Sequence, residues 1–165
     1  MFGLLMVMFS IVLFSAVSVM AINYLPVDAL LTMNARTNAV DGFTSLSGGA
    51  ARYIRSVTDA DGVAHLPAPG VDLTSALQPG YVFIPRAPKG MDWSIQSGVF
   101  QGLPAIGICL YPVGTIDEPT VRGVNSAMRK LPQAAAFASG GCNAQVNSGG
   151  AFVTYWVVAN HHAQI

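Results

Sequence analysis

Charged residues are scarce in this sequence. Its 165 residues include 8 Lys and Arg and 8 Asp and Glu, so 10 % are charged and the formal net charge is zero, whereas soluble proteins average about 25 %. Nucleic-acid binding needs a clustered basic surface, which this balance excludes. An apolar fraction of 52 % excludes a disordered chain. We therefore expect part of the chain to be buried in lipid, in a polymer, or in both.

Motifs for catalysis, cofactor binding and metal binding are also missing. The sequence contains no phosphate-binding glycine-rich loop that ends in Lys-Ser or Lys-Thr, no HExxH and no GxSxG. His161 and His162 are adjacent, so on a strand they would point in opposite directions. Asp59 and Asp61 indicate a solvated turn, because a calcium loop needs more oxygen ligands. We expect no enzymatic activity, no cofactor, no bound metal and no small-molecule substrate.

Cysteine is limited to Cys109 and Cys142, which are too far apart for a CxxC redox or zinc motif. In an exported domain such a pair is most simply one disulfide. Closing a loop of about 34 residues would stabilise the fold by roughly 4 kcal/mol on the chain-entropy model. The alternative is two unrelated thiols in a cytosolic domain. The disulfide interpretation places the domain outside the cytoplasm.

The apolar excess lies at the start, where no charged residue occurs from Met1 to Val27. As a helix, Phe2 to Ala21 would cover roughly 30 Å, the thickness of a bilayer's hydrocarbon core. This predicts a membrane-spanning helix. A signal peptide cleaved after Ala21 is the alternative, but the run is long for one and no basic residue precedes it. Three arginines beyond the run weakly favour a cytoplasmic location for that side, in conflict with the cysteine pair.

A second helical pattern follows. Between Val27 and Ile54, apolar residues recur mostly at three- and four-residue steps, which indicates an amphipathic helix with one side against a sheet. We expect a kink near Pro26 and a loosening at Gly48-Gly49. Turn residues then dominate from Asp59 to Gly90 and predict a long connection.

The remaining elements are mostly strands. We expect one short strand, Tyr81 to Ile84, in the connection, and a hairpin of Trp93–Phe100 and Ala105–Tyr111 joined through Gly102-Leu103-Pro104. Asp117-Glu118-Pro119 predicts a helix start. Ala151 to Ala159 is apolar on both faces and indicates a central strand. The fold class is α+β: a membrane or filament-core helix over 1–25, an amphipathic helix over 26–55, and a globular domain with a small antiparallel sheet over 56–165.

This order of elements resembles that of type IV pilins, in particular the type IVb kind of conjugative and enteric pilus systems. The resemblance covers the whole chain in layout, and in sequence the stretch from Ile108 to Ala144. There, a strand cysteine, a helix and a second cysteine before the last strand resemble the disulfide-bounded D region of the family. The resemblance implies a filament built with copies of itself or other pilins, held in the inner membrane before assembly and extracellular afterwards.

Two features depart from the pilin pattern. Pilins of this family carry a glutamate at the fifth position of the mature chain, which meets the α-amino group of a neighbouring subunit. Here that position is Leu5 if Met1 is the mature start, or Met8 if cleavage follows Gly3. A basic leader is missing too. A bundle of uncharged helices can do without a buried ion pair, so the departure favours a minor, tip or non-standard subunit.

The chain is also similar to membrane-anchored pilus-biogenesis proteins of the PilM type. It shares with them Tyr53 near the end of the helix, the passage Leu77-Gln78-Pro79-Gly80-Tyr81, and Trp93. That similarity implies an anchored accessory protein that does not enter the filament. A cysteine pair is not part of this second resemblance.

Assembly would move the apolar helix from lipid into a bundle of neighbours, which is another apolar environment. Close packing must therefore decide association. Small residues permit close approach, and the ones that we predict at helix contacts are Gly3, Ser10, Ser15, Ala16 and Ser18. The resemblance to type IV pilins thus implies a pilin or minor pilin. A secreted binding domain that uses the loop from Asp59 to Lys89 is the alternative from another class.

Overall fold

The computed structural model describes residues 2–24 and 27–159. They form helices α1 (Phe2–Tyr24), α2 (Val27–Ser56), α3 (Thr74–Leu77) and α4 (Glu118–Met128), and strands β1 (Met91–Phe100), β2 (Leu103–Pro112), β3 (Ala136–Ser139) and β4 (Phe152–Val158). The strands make one antiparallel sheet in the order β1-β2-β4-β3. The α+β class and the small antiparallel sheet are confirmed.

The chain divides into two units, Met1–Leu30 and Leu31–Ile165, and we call the second unit the head. The first unit contains α1 and the start of α2, and the kink expected near Pro26 lies outside the described residues. The sequence predicts a membrane-spanning helix here. None of the helices formed by the described residues combines the length and the apolar character that crossing a bilayer requires, so this prediction is not confirmed.

Helix α2 has the predicted amphipathic character. Its buried residues recur every three or four positions and form one face of the helix: Ala35, Ala39, Gly42, Phe43, Leu46, Gly49, Ala50 and Ile54. The ring of Phe43 meets Trp93 of β1 edge to face, with 4.9 Å between centroids, and lies 6.3 Å from Tyr155 of β4. These contacts join the helix to strands β1 and β4 on one face of the sheet.

The expected loosening at Gly48-Gly49 does not occur, because the helix runs through both glycines. Gly49 is needed for packing instead: a Cβ there would lie 2.6 Å from Cβ of Val82. At Gly48 a Cβ would meet nothing within 4 Å. Of the two glycines, only Gly49 therefore allows a close contact between α2 and the following chain.

The hairpin of β1 and β2 turns one residue earlier than expected. Gln101 and Gly102 both have positive φ, 51° and 81°, as a two-residue type I′ turn requires, and Leu103 and Pro104 already belong to β2. Helix α4 begins as predicted, since the carboxylate of Asp117 accepts a hydrogen bond of 3.0 Å from the backbone N–H of Thr120.

The predicted strand from Tyr81 to Ile84 is wrong. The backbone N–H groups of Tyr81 and Val82 both donate to the carbonyl of Leu77, at 2.9 and 3.1 Å, so they close a turn after α3 rather than join a ladder. Helix α3 and strand β3 were not predicted from the sequence. Each has four residues, which is too short for a periodic pattern to appear.

The central position of β4 is confirmed, because it pairs with β2 on one side and β3 on the other. One face of the sheet packs on α2 and α4 around Ile108, Leu110 and Val153, all fully buried. The other face carries a smaller cluster of Phe100 and Trp156, which stack with 5.8 Å between ring centroids.

Candidate functional site

The main candidate site is the apolar surface of α1. Among the side chains of α1 whose exposure the structure describes, the large apolar ones are 57–77 % exposed: Met6, Val7, Met8, Phe9, Ile11, Val12, Leu13, Phe14 and Val17. They occur at successive positions, so they lie on every side of the helix. A helix that is apolar on all sides is stable only when other apolar groups cover it. We therefore expect another apolar surface to cover α1.

The serines of α1 do not interrupt its apolar character. The hydroxyl of Ser10 donates to the carbonyl of Met6 at 3.0 Å, that of Ser15 to Val12 at 2.9 Å, and that of Ser18 to Phe14 at 2.8 Å. Each hydroxyl proton is therefore satisfied within the helix. The three serines act as small, uncharged residues that a neighbouring helix can approach closely.

The structure brings some of the predicted packing residues together and separates others. At about 100° per residue, Gly3, Ser10 and Ser18 fall within an arc of about 80° on α1. Ser15 lies about 60° beyond Ser18, and Ala16 lies on a different side. Around Gly3 a Cβ would meet nothing within 4 Å. Gly3, Ser10 and Ser18 therefore share one side of α1, and we call them the small-residue stripe.

The second predicted feature, the disulfide between Cys109 and Cys142, is confirmed. Cys109 is buried in the middle of β2. The chain after Cys142 is held over the outer face of the sheet by three hydrogen bonds: Asn143 Nδ2 to Gln96 Oε1 at 2.7 Å, Gln145 Nε2 to the Val99 carbonyl at 2.7 Å, and Trp156 Nε1 to the Ala144 carbonyl at 2.8 Å. The disulfide thus fixes this segment to the sheet.

Both edges of the sheet form hydrogen bonds with other parts of the same chain. Along β1, Gly70 N–H donates to the Ser97 carbonyl at 2.8 Å, and Leu73 N–H donates to the Ile95 carbonyl at 2.9 Å. Along β3, the side-chain oxygen of Asn147 accepts from Ala138 N–H at 2.8 Å. Exposed edges invite pairing with other chains. Because these edges are covered, strand addition is a poor route for joining copies of the head.

Of the residues on which the PilM-type resemblance rests, Tyr53 and Tyr81 lie at the contact between α2 and the segment after α3. Tyr53 and Tyr81 meet edge to face with 5.3 Å between centroids, and the hydroxyls of Tyr81 and Ser56 are 2.7 Å apart. Trp93 lies elsewhere, against Gly42 and Phe43. Trp93 belongs to the buried core of the head, and Tyr53 and Tyr81 pack against that core.

A polar groove in the head was not foreseen. Asn34 and Asn38 of α2 line one side and residues 85–92 line the other, and the groove holds about 750 Å³. It involves the end of the loop that the alternative interpretation named, Asp59 to Lys89. The sequence carried a weak signal, since Arg86 and Lys89 lie among prolines and a glycine in PRAPKG.

The other candidate residues form local turns. Asp59 accepts hydrogen bonds from the N–H groups of Asp61 and Val63, at 3.0 and 2.8 Å, and lies 2.9 Å from Nε2 of His65. The bond from Val63 and then the one from His65 lower the pKa of Asp59. Among the described residues, no three His, Cys, Asp or Glu side chains are placed to hold a metal. His161 and His162 lie outside the described residues.

No protein-family model matches this chain, and no curated protein and no solved structure shows a match to it.

Proposed function

We propose that this chain is a structural subunit of a type IV pilus-like filament, a pilin or minor pilin whose α1 packs against α1 of neighbouring copies. The exposure of the apolar side chains all round α1 carries the proposal. Covering them with equivalent helices would remove each from water, and burying one such side chain stabilises association by about 1.5–3 kcal/mol before entropy losses. A second copy offers the same uncharged surface, so no buried charge opposes the contact.

The small-residue stripe would set the closest approach between neighbouring helices. Between apolar helices, backbone proximity depends on residues such as Gly and Ser, and the serine hydroxyls here need no outside acceptor. The head would then cover the outside of the filament. Its covered sheet edges leave the helix as the main route of assembly.

The location also belongs to the proposal. We infer that the chain resides at the inner membrane before assembly and in an extracellular filament afterwards, with the head outside the cytoplasm. The disulfide supports a non-cytoplasmic head, because thiols stay reduced in the cytosol. Cell fractionation with protease protection of the head measures this location.

The experiment that tests assembly compares two leucine substitutions on different sides of α1. Ser10→Leu adds bulk to the small-residue stripe, whereas Ala16→Leu adds similar bulk away from it. Filaments sheared from cells are examined by electron microscopy and by mass spectrometry for this chain. We expect Ser10→Leu to reduce incorporation at least tenfold and Ala16→Leu to leave it near the wild-type level.

Two results would contradict the proposal. If the wild-type chain is missing from sheared filaments, it is not a filament subunit, and the membrane-anchored accessory becomes the better interpretation. If both leucine variants are incorporated normally, the small-residue stripe does not make the helix contacts. Unfolding of each variant in nonionic detergent serves as the control for an intact head.

A further inference from the structure

We propose that the polar groove of the head binds an acidic saccharide, a ligand that carries hydroxyl groups and a carboxylate. The groove lies between Asn34 and Asn38 of α2 and the segment 85–92, within the head. Its volume of about 750 Å³ is in the usual range for ligand sites. The proposal does not depend on filament assembly.

The wall formed by the segment 85–92 is held in place without a ligand. Pro88 is fully buried. Met91 N–H donates to the Pro88 carbonyl at 3.0 Å, and Val113 N–H donates to the Gly90 carbonyl at 2.9 Å. Pro85 and Pro88 further restrict the backbone. A preformed wall needs little ordering on binding, which favours affinity.

The cations of the groove are available to an anion. Arg86 and Lys89 are exposed, and among the described residues the ion pairs are His65–Asp59 and Arg122–Glu118, so neither cation belongs to one. Lys89 acts only at longer range on Asp117, the cap of α4. The guanidinium of Arg86 can bind a carboxylate through two parallel hydrogen bonds.

The amides of the groove are suited to hydroxyl groups. Asn34 and Asn38 are four residues apart, so they lie on one face of α2. Within the described part of the chain, neither side chain makes a hydrogen bond, and each amide offers both donors and an acceptor. Asp92 adds an acceptor for hydroxyls, although one of its oxygens already accepts from Trp93 N–H at 2.8 Å.

The same lining disfavours other ligands. Met91 and Pro88 are buried beneath the groove, and none of the large apolar side chains that are exposed lines it. An apolar peptide side chain or a lipid tail would find no pocket. Amides and a carboxylate beside two cations match a ligand that has both hydroxyls and an acidic group.

The test uses the full chain in nonionic detergent with oligogalacturonate as the probe, measured by titration calorimetry. We expect the wild type to bind and Arg86→Gln and Asn38→Ala each to weaken binding at least tenfold. Arg129→Gln, outside the groove at the end of α4, is the matched charge control and should bind as the wild type does. Asn34→Ala replaces Asn38→Ala if the latter changes the unfolding transition.

Four results would contradict the proposal. One is no binding of oligogalacturonate by the wild type. Another is equal affinity for a neutral galacto-oligosaccharide, which would show that Arg86 and Lys89 do not contribute to binding. The third is equal affinity for inorganic phosphate or a polyglutamate peptide, which would reduce the groove to a general anion site. Binding that Arg86→Gln leaves unchanged would place the ligand elsewhere and counts against the groove as well.

Discussion

Helix α1 and the head differ in the exposure of their apolar side chains. In the head, Phe43, Leu46 and Ile95 are at most 1 % exposed. In α1, Phe14 is 77 % exposed and Met6 70 % exposed. The head closes its own core with helices on one face of the sheet and a disulfide-held segment on the other, while the described side chains of α1 depend on cover from outside.

Because of this difference, the stability of the head and the proposed association through α1 should depend on different residues. Contacts within Leu31–Ile165 hold the head together, whereas the surface of α1 would carry the proposed association. A substitution in one region should therefore leave the property of the other unchanged, since distant and independent sites act additively. The predictions below test this separation.

The largest effect is expected from a charge on α1. Ser15→Asp places a carboxylate on an apolar helix, and burying an unpaired charge in a bundle is strongly unfavourable. We expect filament incorporation to be lost while the unfolding transition of the head stays as in the wild type. Immunoblots of sheared filaments and circular dichroism measure the two properties. Normal filaments that contain the variant would contradict the separation and the packing model.

The largest effect on the head is expected from the disulfide. Replacing Cys109 and Cys142 together by Ala removes a cross-link between residues 33 positions apart, and the chain-entropy model assigns it about 4 kcal/mol of unfolding free energy. Guanidinium unfolding of the full chain in detergent measures the loss. Self-association of α1 in detergent, followed by energy transfer between labelled chains, should not change. A loss of association in this variant would show that the two regions are coupled.

Two adjacent glycines of α2 provide a matched pair. Gly49→Ala introduces a Cβ that would lie 2.6 Å from Cβ of Val82, and we expect destabilisation by about 1–3 kcal/mol because the core must shift. Gly48→Ala meets nothing within 4 Å and should stabilise the helix by about 0.5–1 kcal/mol. Thermal unfolding of both variants gives the comparison. Equal effects would mean that Val82 does not pack on Gly49.

The smallest effect is expected from the cap of α4. Hydrogen bonds from Thr120 lower the pKa of Asp117 below its ordinary value of 3.8. The stabilisation by its carboxylate is therefore complete above that value and is lost as the pH falls through the lowered pKa. Asp117→Asn keeps a capping oxygen without this titration, so unfolding between pH 5 and pH 3 should depend less on pH.

Asp41→Asn on α2 is the control for the pH experiment, because the carboxylate of Asp41 makes no hydrogen bond among the described residues. Its pH dependence should match that of the wild type. If Asp117→Asn also matches the wild type, the cap does not contribute to acid unfolding.

Features that depend on neighbouring residues were predictable. Local pattern predicts helices α1, α2 and α4, the cap at Asp117 and the two-sided burial of β4. The pairing of Cys109 with Cys142 follows from there being two cysteines. The strand predicted at Tyr81–Ile84 is absent because of long-range contacts with α2. The side chain of Val82 packs against Gly49, and Arg52 Nη2 donates a hydrogen bond of 2.5 Å to the Tyr81 carbonyl. No local pattern reports such contacts.

Part of the candidate site could be predicted from the sequence and part could not. The apolar character of α1 was visible in the sequence, and the small-residue stripe follows from helical geometry alone. The groove was not predictable, because Asn34 and Asn38 lie about fifty positions before Arg86 and Lys89 and come together only when α2 packs on the head. The sequence also did not predict that residues 70–73 hydrogen-bond to the edge of β1, because that segment has no strand pattern.

The amino-acid sequence by itself determined the uncharged apolar helix, the amphipathic helix after it and the single possible disulfide, because helix formation and residue chemistry depend on near neighbours. Tertiary structure alone decided which glycine of α2 is needed, how the sheet edges are covered and where a polar groove opens. Those features arise from contacts between segments far apart along the chain, where packing and hydrogen bonding prevail over local preference.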